Sequence, residues 1–175
     1  FIILLVLVAL MFRSIANRRA LQEMEQISRE EHLARIYGDA LKTLDDIHAW
    51  ALAHFTYEHD IDKHGEWEHW GSPDELIAML AADGKVTGDC DDFALICRQI
   101  LRFKNIPSRL VVCLAENGGG HLVCSPEGTG MVLDNRFERV MRRDELEHLG
   151  YQWVSMSGLE RGEPWVKIGN ISDRF

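Results

Sequence analysis

Apolar residues at Phe93, Ile96, Cys97, Ile100 and Leu101 step by three and four along the chain and predict an amphipathic helix over 90–104. Gly88 gives a flexible approach to it, and Asp89 can cap its first-turn N–H groups. Arg102 and Lys104 suit its negative end, and Pro107 closes it. Upstream, Ile36, Ala40, Leu44, Ile47, Ala51 and Phe55 form a second stripe, within a segment over about 14–57 that reads as helix. Downstream the period changes. Residues 110–114 read as a buried strand, Gly118, Gly119 and Gly120 as a loop, and 121–125 and 131–135 as two strands around a turn at 126–130. A short helix is expected over 143–149, ended by Gly150. The fold class is α+β. A helical N-terminal half packs on an antiparallel sheet of segments near 108–116, 120–125, 131–136, 151–155 and 164–168, with Cys90 starting a central helix at its edge.

Composition sets the outer bounds. A chain of 175 residues with 46% hydrophobic content suits one compact domain plus an appendage. The net charge of −9, with no basic cluster beyond Arg13, Arg18 and Arg19, argues against nucleic acid as a partner. The cysteines at 90, 97, 113 and 124 lack the close pairs of a zinc site and make no disulfide framework. Cys97, Cys113 and Cys124 read as core, with a cross-strand disulfide as the alternative in an oxidising compartment. His54, His59, His64 and His69 recur at a five-residue spacing that lies on neither a helix face nor a strand face, which disfavours a metal site. Asp60, Asp62 and Glu66, in the same stretch, read as a solvated loop. Trp67 and Trp70, close to Pro73, either line a cleft or fill core.

The run over 1–12 is apolar without interruption and would span about 18 Å as a helix, against roughly 30 Å of hydrocarbon. It reads as a membrane anchor whose beginning is missing, since the chain starts with Phe1; a truncated signal segment is the alternative. Residues 13–35, rich in Glu and Arg, read as a helical stalk, and 36–175 as the globular domain. Arg13, Arg18 and Arg19 favour a cytoplasmic C-terminal side by the charge-bias rule.

The chemistry centres on Gly88-Asp89-Cys90-Asp91-Asp92-Phe93-Ala94. A thiol at a helix N-terminus feels the positive end of the macrodipole, which lowers its pKa from about 8.5. If Ser125 faces Gly130 across the turn, counting four residues back along each strand sets His121 opposite Asp134. An Asp there can hold the imidazole tautomer while the other ring nitrogen meets a thiol. The bland alternative is a histidine ending one strand and an aspartate starting a turn.

The order Cys, His, Asp, with His121-Leu122-Val123 and Val132-Leu133-Asp134-Asn135, resembles the bacterial transglutaminase-like cysteine peptidases, a family that includes a periplasmic adhesin-cleaving protease. The resemblance covers about 45–168. It takes in Trp70-Gly71-Ser72-Pro73-Asp74-Glu75, Tyr151-Gln152-Trp153 and Trp165, and departs from the family's pattern at Gln152 (usually Pro) and Asp91 (often Glu). It implies a papain-like, transglutaminase-like fold with Cys90 as nucleophile, His121 as general base and Asp134 as orienting acid. It also implies a periplasmic location, against the arginine count, so the side of the membrane stays open.

The resemblance further implies calcium held by Asp89 and Asp91. A physical reason agrees: a carboxylate about 6 Å from a thiolate, at an effective dielectric of about 20, costs nearly 3 kcal/mol, or about two pKa units. A divalent cation reverses that penalty, and oxygen ligands suit calcium. Helix capping by Asp89 and first-turn stabilisation by Asp92 are the plain alternatives. The activity expected is thiol-dependent hydrolysis of a peptide or amide bond in a protein or peptide substrate. Acyl transfer to an amine, or a silent calcium-dependent binding module, are the alternatives.

Overall fold

The computed structural model describes residues 41–63, 65 and 69–169. The segments at 1–12 and 13–35, with His64, Glu66 and Trp67, lie outside the described residues. Among the described residues no helix is long and apolar enough to cross a membrane.

Helix α1 (Leu44–Ala53) opens on a capping box, in which Thr43 Oγ1 accepts from Asp46 N at 3.1 Å and the Asp46 carboxylate accepts from Thr43 N at 2.8 Å. The helix expected to run on to residue 57 stops at Ala53. Strand β1 (Phe55–Tyr57) follows instead, because it pairs in parallel with a segment some thirty residues later and Phe55 sets its ring edge-on to Phe93 at 5.3 Å. A single helical turn, α2 (Asp60–Lys63), precedes α3 (Pro73–Asp83). Helix α3 begins at Ser72 and Glu75, which bond reciprocally, and ends at the left-handed Gly84 (φ 68°).

Strand β2 (Val86–Gly88), the partner of β1, feeds directly into α4 (Cys90–Phe103). Gly88 is not in a left-handed conformation among the described glycines. Its role is space: a Cβ at Gly88 or at Gly71 would collide with the Asp92 carboxyl group, which is 1% exposed between them. Asp92 is therefore a first-turn carboxyl that is buried and clasped by two glycines.

Strands β3 (Ser108–Leu114), β4 (Gly120–Pro126), β7 (Gln152–Met156) and β8 (Val166–Lys167) form one antiparallel sheet in the order β4-β3-β7-β8. The expected strand over 131–136 does not extend this sheet as a full member. It shrinks to β5 (Met131–Val132), which pairs with β6 (Met141–Arg142) and touches β4 through a Cys124–Leu133 bridge. Helix α5 (Arg143–His148) then leads through Gly150 (φ 103°) to β7.

Helix α4 packs on β3 and β4, burying Phe93, Ile96, Ile100 and Leu101, each contributing about 1.5–3 kcal/mol of transfer free energy. The second core, on the other side of the sheet, holds Val111, Cys113, Val123, Leu146 and Trp153. Cys97, Cys113 and Cys124 are all buried, and none is in a disulfide. Cys113 opposes His121 while Cys124 opposes Leu110, so the two alternate in face and cannot bridge.

Candidate active site

Cys90 is the first residue of α4 and is partly exposed. Asp89 is the N-cap, its Oδ1 accepting from Asp91 N at 3.0 Å. The thiol lines a cleft of about 370 Å³ together with His121, Tyr57, Asn117, Gly120 and Arg136. Cys90 and His121, thirty-one positions apart in sequence, thus share one space.

His121 sits near the start of β4, opposite Cys113. Its Nε2 bonds Asp134 Oδ1 at 2.8 Å. The register that brings them together differs from the one expected. Thr129 N bonds Pro126 O, as the expected turn requires, but the left-handed Gly130 (φ 67°) then swings the chain outward. Pairing resumes with Cys124 against Leu133, so Asp134 stands diagonal to His121 rather than opposite it. A shift of two residues keeps both side chains on one face, whereas a shift of one would have separated them.

Asp134 is fully buried and every oxygen on it is engaged. Oδ1 also accepts from Arg136 N at 3.0 Å, and Oδ2 accepts from the Tyr151 hydroxyl at 2.9 Å. Its carbonyl accepts from His48 Nε2 at 3.0 Å. Burial pushes the Asp134 carboxyl upward, but the bonds from His121, Arg136 N and Tyr151 outweigh it and hold the group below the usual carboxylate range. Burial beside that carboxylate drives the Tyr151 phenol far upward, so it stays a donor. Arg136 completes the arrangement, making a two-pronged ion pair with Glu116 and lying 6.0 Å over the Tyr151 ring. His48 was not singled out in the sequence, where it reads as one more residue beside the apolar stripe of α1.

On the other side of Cys90 lies a group of carboxylates. Asp60, Asp89 and Asp91 place ligand oxygens all within 4.8 Å of one another. Asp60, read from sequence as a loop residue in solvent, is 2% exposed and accepts from His69 N. The β1–β2 pairing carries it there: Tyr57 pairs with Gly88 and Glu58 N bonds Gly88 O at 2.8 Å, which draws the residues after β1 alongside those after β2. One oxygen of Asp60 and one of Asp91 are buried with no hydrogen-bond partner among the described residues. Burial, the hydrogen bond with Asp89 and the charges of Asp89, Asp92 and Asp60 push the Asp91 carboxyl up to about 9.

Trp70 is 51% exposed and lines a second cavity of about 430 Å³, where it meets Trp165 edge-on at 6.1 Å. Asp91 and Leu122, the chain neighbours of Cys90 and His121, also line that cavity, so it adjoins their cleft without being the same space.

The family model described as bacterial transglutaminase-like cysteine proteinase matches residues 16–173. No curated protein matches the chain in sequence. Among solved structures, calcium-bound LapG of Legionella pneumophila is similar with a TM-score of 0.61 at 19% identity, covering 89% of this chain and 91% of that one. EGTA-treated LapG of the same organism gives 0.62 at 20% identity, covering 88% of this chain and 87% of that one. At these identities the likeness is one of fold. The family model's match along nearly the whole length makes this chain a member of the bacterial transglutaminase-like cysteine proteinase family and a cysteine peptidase.

Proposed function

We propose that the peptidase works through Cys90, His121 and Asp134, by an acyl-enzyme that water resolves. The observation that carries this is the shared cleft of Cys90 and His121 together with the 2.8 Å bond from His121 Nε2 to Asp134. That bond commits Nε2 and leaves Nδ1 as the nitrogen to take the thiol proton. The Cys90 sulfur then attacks the substrate carbonyl carbon, and the π pair moves to oxygen. As the tetrahedral species collapses, the C–N bond breaks and His121 delivers its proton to the departing amine. Water, deprotonated by the same nitrogen, releases the acid and restores the thiol. Asp134 stays ionised throughout, stabilising the imidazolium. First-turn amides of a helix point out of its N-terminal end, which makes the Cys90 N–H one donor to the oxyanion.

Asp60, Asp89 and Asp91 fit a calcium ion: all donors are hard oxygens, and two of those buried oxygens have no other partner among the described residues. The cation supplies positive charge that offsets the cost of a thiolate next to Asp89. Residues 36–175 are the catalytic unit in this reading, 13–35 a stalk and 1–12 a membrane attachment, with a protein as substrate.

The test is a thiol-alkylating activity probe followed by proteomic comparison of neo-termini. Fast labelling that vanishes in Cys90→Ala and slows in His121→Ala, with neo-termini that require Cys90, is the expected result. Labelling at the rate of an ordinary thiol, with no Cys90-dependent cleavage, would leave the chain a binding module.

A further inference from the structure

The Cys90 amide is one oxyanion donor, and the geometry points to the Tyr57 hydroxyl as the second. This rests on the reading of Cys90 as nucleophile. Strand β1 is built so that Phe55 and Tyr57, two residues apart, present their rings to the same side. Phe55 meets Phe93 at 5.3 Å, which fixes that side as the one facing α4. Two residues along a strand advance about 6.6 Å, and three residues back along a helix about 4.5 Å. Moving from Phe55 to Tyr57 therefore tracks the helix from Phe93 back to Cys90. The pairing of Tyr57 with Gly88 locks that position from the backbone, two residues before the thiol. Tyr57 and Cys90 accordingly line the same cleft as His121.

The phenol is suited to donate. Its ring rests edge-on against His59 at 5.1 Å, and the residue is 50% exposed and lines the cleft. Burial first, and the negative charge of Cys90 next, push its ionisation upward, which keeps the proton on oxygen at working pH. When the sulfur attacks, the carbonyl π pair becomes an oxyanion that accepts from the Cys90 N–H and the Tyr57 O–H. On collapse the pair re-forms the carbonyl, and Tyr57 keeps its proton. His121 alone moves protons, which separates the two roles.

The experiment compares two reagents on the same thiol. p-Nitrophenyl acetate acylates Cys90 through an oxyanion; iodoacetamide alkylates it by displacement at a saturated carbon, with none. Tyr57→Phe, which keeps the ring on His59, should slow the acylation burst about tenfold or more. It should leave the alkylation rate within about twofold of wild type, since no step of that reaction develops charge on a carbonyl oxygen. An unchanged burst overturns the assignment, as does an equal fall with both reagents, which would mean that Tyr57 acts on the thiol. A burst that survives Cys90→Ala overturns the nucleophile itself; one that needs Cys90 but ignores Tyr57→Phe removes Tyr57 alone.

Discussion

Two buried carboxyl environments adjoin His121 and Cys90, and they have opposite characters. Asp134 is fully buried, yet the His121 ring, the Arg136 amide and the Tyr151 hydroxyl all donate to its carboxylate, and the group stays ionised. Asp60 and Asp91 are almost as buried, but each keeps an oxygen with no donor among the described residues. There the charges repel, and Asp91 holds its proton to about 9. Burial alone decides neither outcome. What decides is whether the chain supplies donors to replace water, which it does on one side of Cys90 and not on the other. One side is finished by the protein; the other keeps oxygens without a donor among the described residues.

The sharpest way to break this contrast is Asp134→Asn. It presents an amide where three donors converge, disturbs the His121 tautomer and should lower kcat/KM by up to about 10⁴-fold. It should also cost about 1–3 kcal/mol in denaturant unfolding, because donors aimed at a carboxylate lose their acceptor. Wild-type stability from this group is present above the ordinary carboxylate range and is lost as pH falls through the depressed Asp134 pKa, so the gap between the two proteins should close in acid. A gap that persists unchanged at low pH would show that packing, not charge, is at stake.

Calcium addition should have the next largest effect. At a hundred times its Kd it stabilises by about 2.7 kcal/mol, raising Tm relative to chelator-treated protein. Because Asp91 holds its proton up to about 9, binding near neutral pH must expel that proton, and affinity should rise with pH. Titration calorimetry in buffers of differing ionisation heat reads the release directly. Binding with no proton released would contradict the character assigned to the cluster.

His48 offers a finer probe. Burial lowers its pKa from 6.5, despite the Asp134 carbonyl that favours its charged form. Below about 6.5 the unfolded chain therefore takes up a proton that the folded ring refuses, and stability falls with pH in that window. His48→Gln should flatten the slope of stability against pH below about 6.5, and an unchanged slope would place the titration elsewhere. The smallest effect is expected for Asp91→Asn in chelated protein. Replacing a carboxyl that is already neutral should change stability by no more than about 0.5 kcal/mol at pH 7, while the calcium-induced rise in Tm disappears.

The finished side was more legible in the sequence than the unfinished one, and the reason is contact distance along the chain. The helix from Cys90 announces itself by its period and its cap. His121 and Asp134 belong to one hairpin, whose turn keeps them on the same face even though Gly130 moves the register by two. Asp60 reaches Asp89 and Asp91 only through a three-residue parallel pairing of β1 with β2, and such short ladders carry too few residues to show a period. The same gap hid Tyr57, which lay inside what read as a continuing helix. Helix α3 left a local signal in Ser72, Pro73 and Glu75, a capping box that the stripe count passed over.

The clasp on Asp92 has a consequence for how this sequence can vary. Gly71 precedes α3 and Gly88 ends β2, so they belong to separate elements, yet both abut one carboxyl group and leave it no room to retreat. Their tolerance to substitution is therefore conditional on position 92. Gly71→Ala or Gly88→Ala should be disabling in this background and milder beside Asp92→Ala, an epistatic triangle that joins the two approaches to α4. Lineages or libraries that explore either glycine alone will find that corner closed.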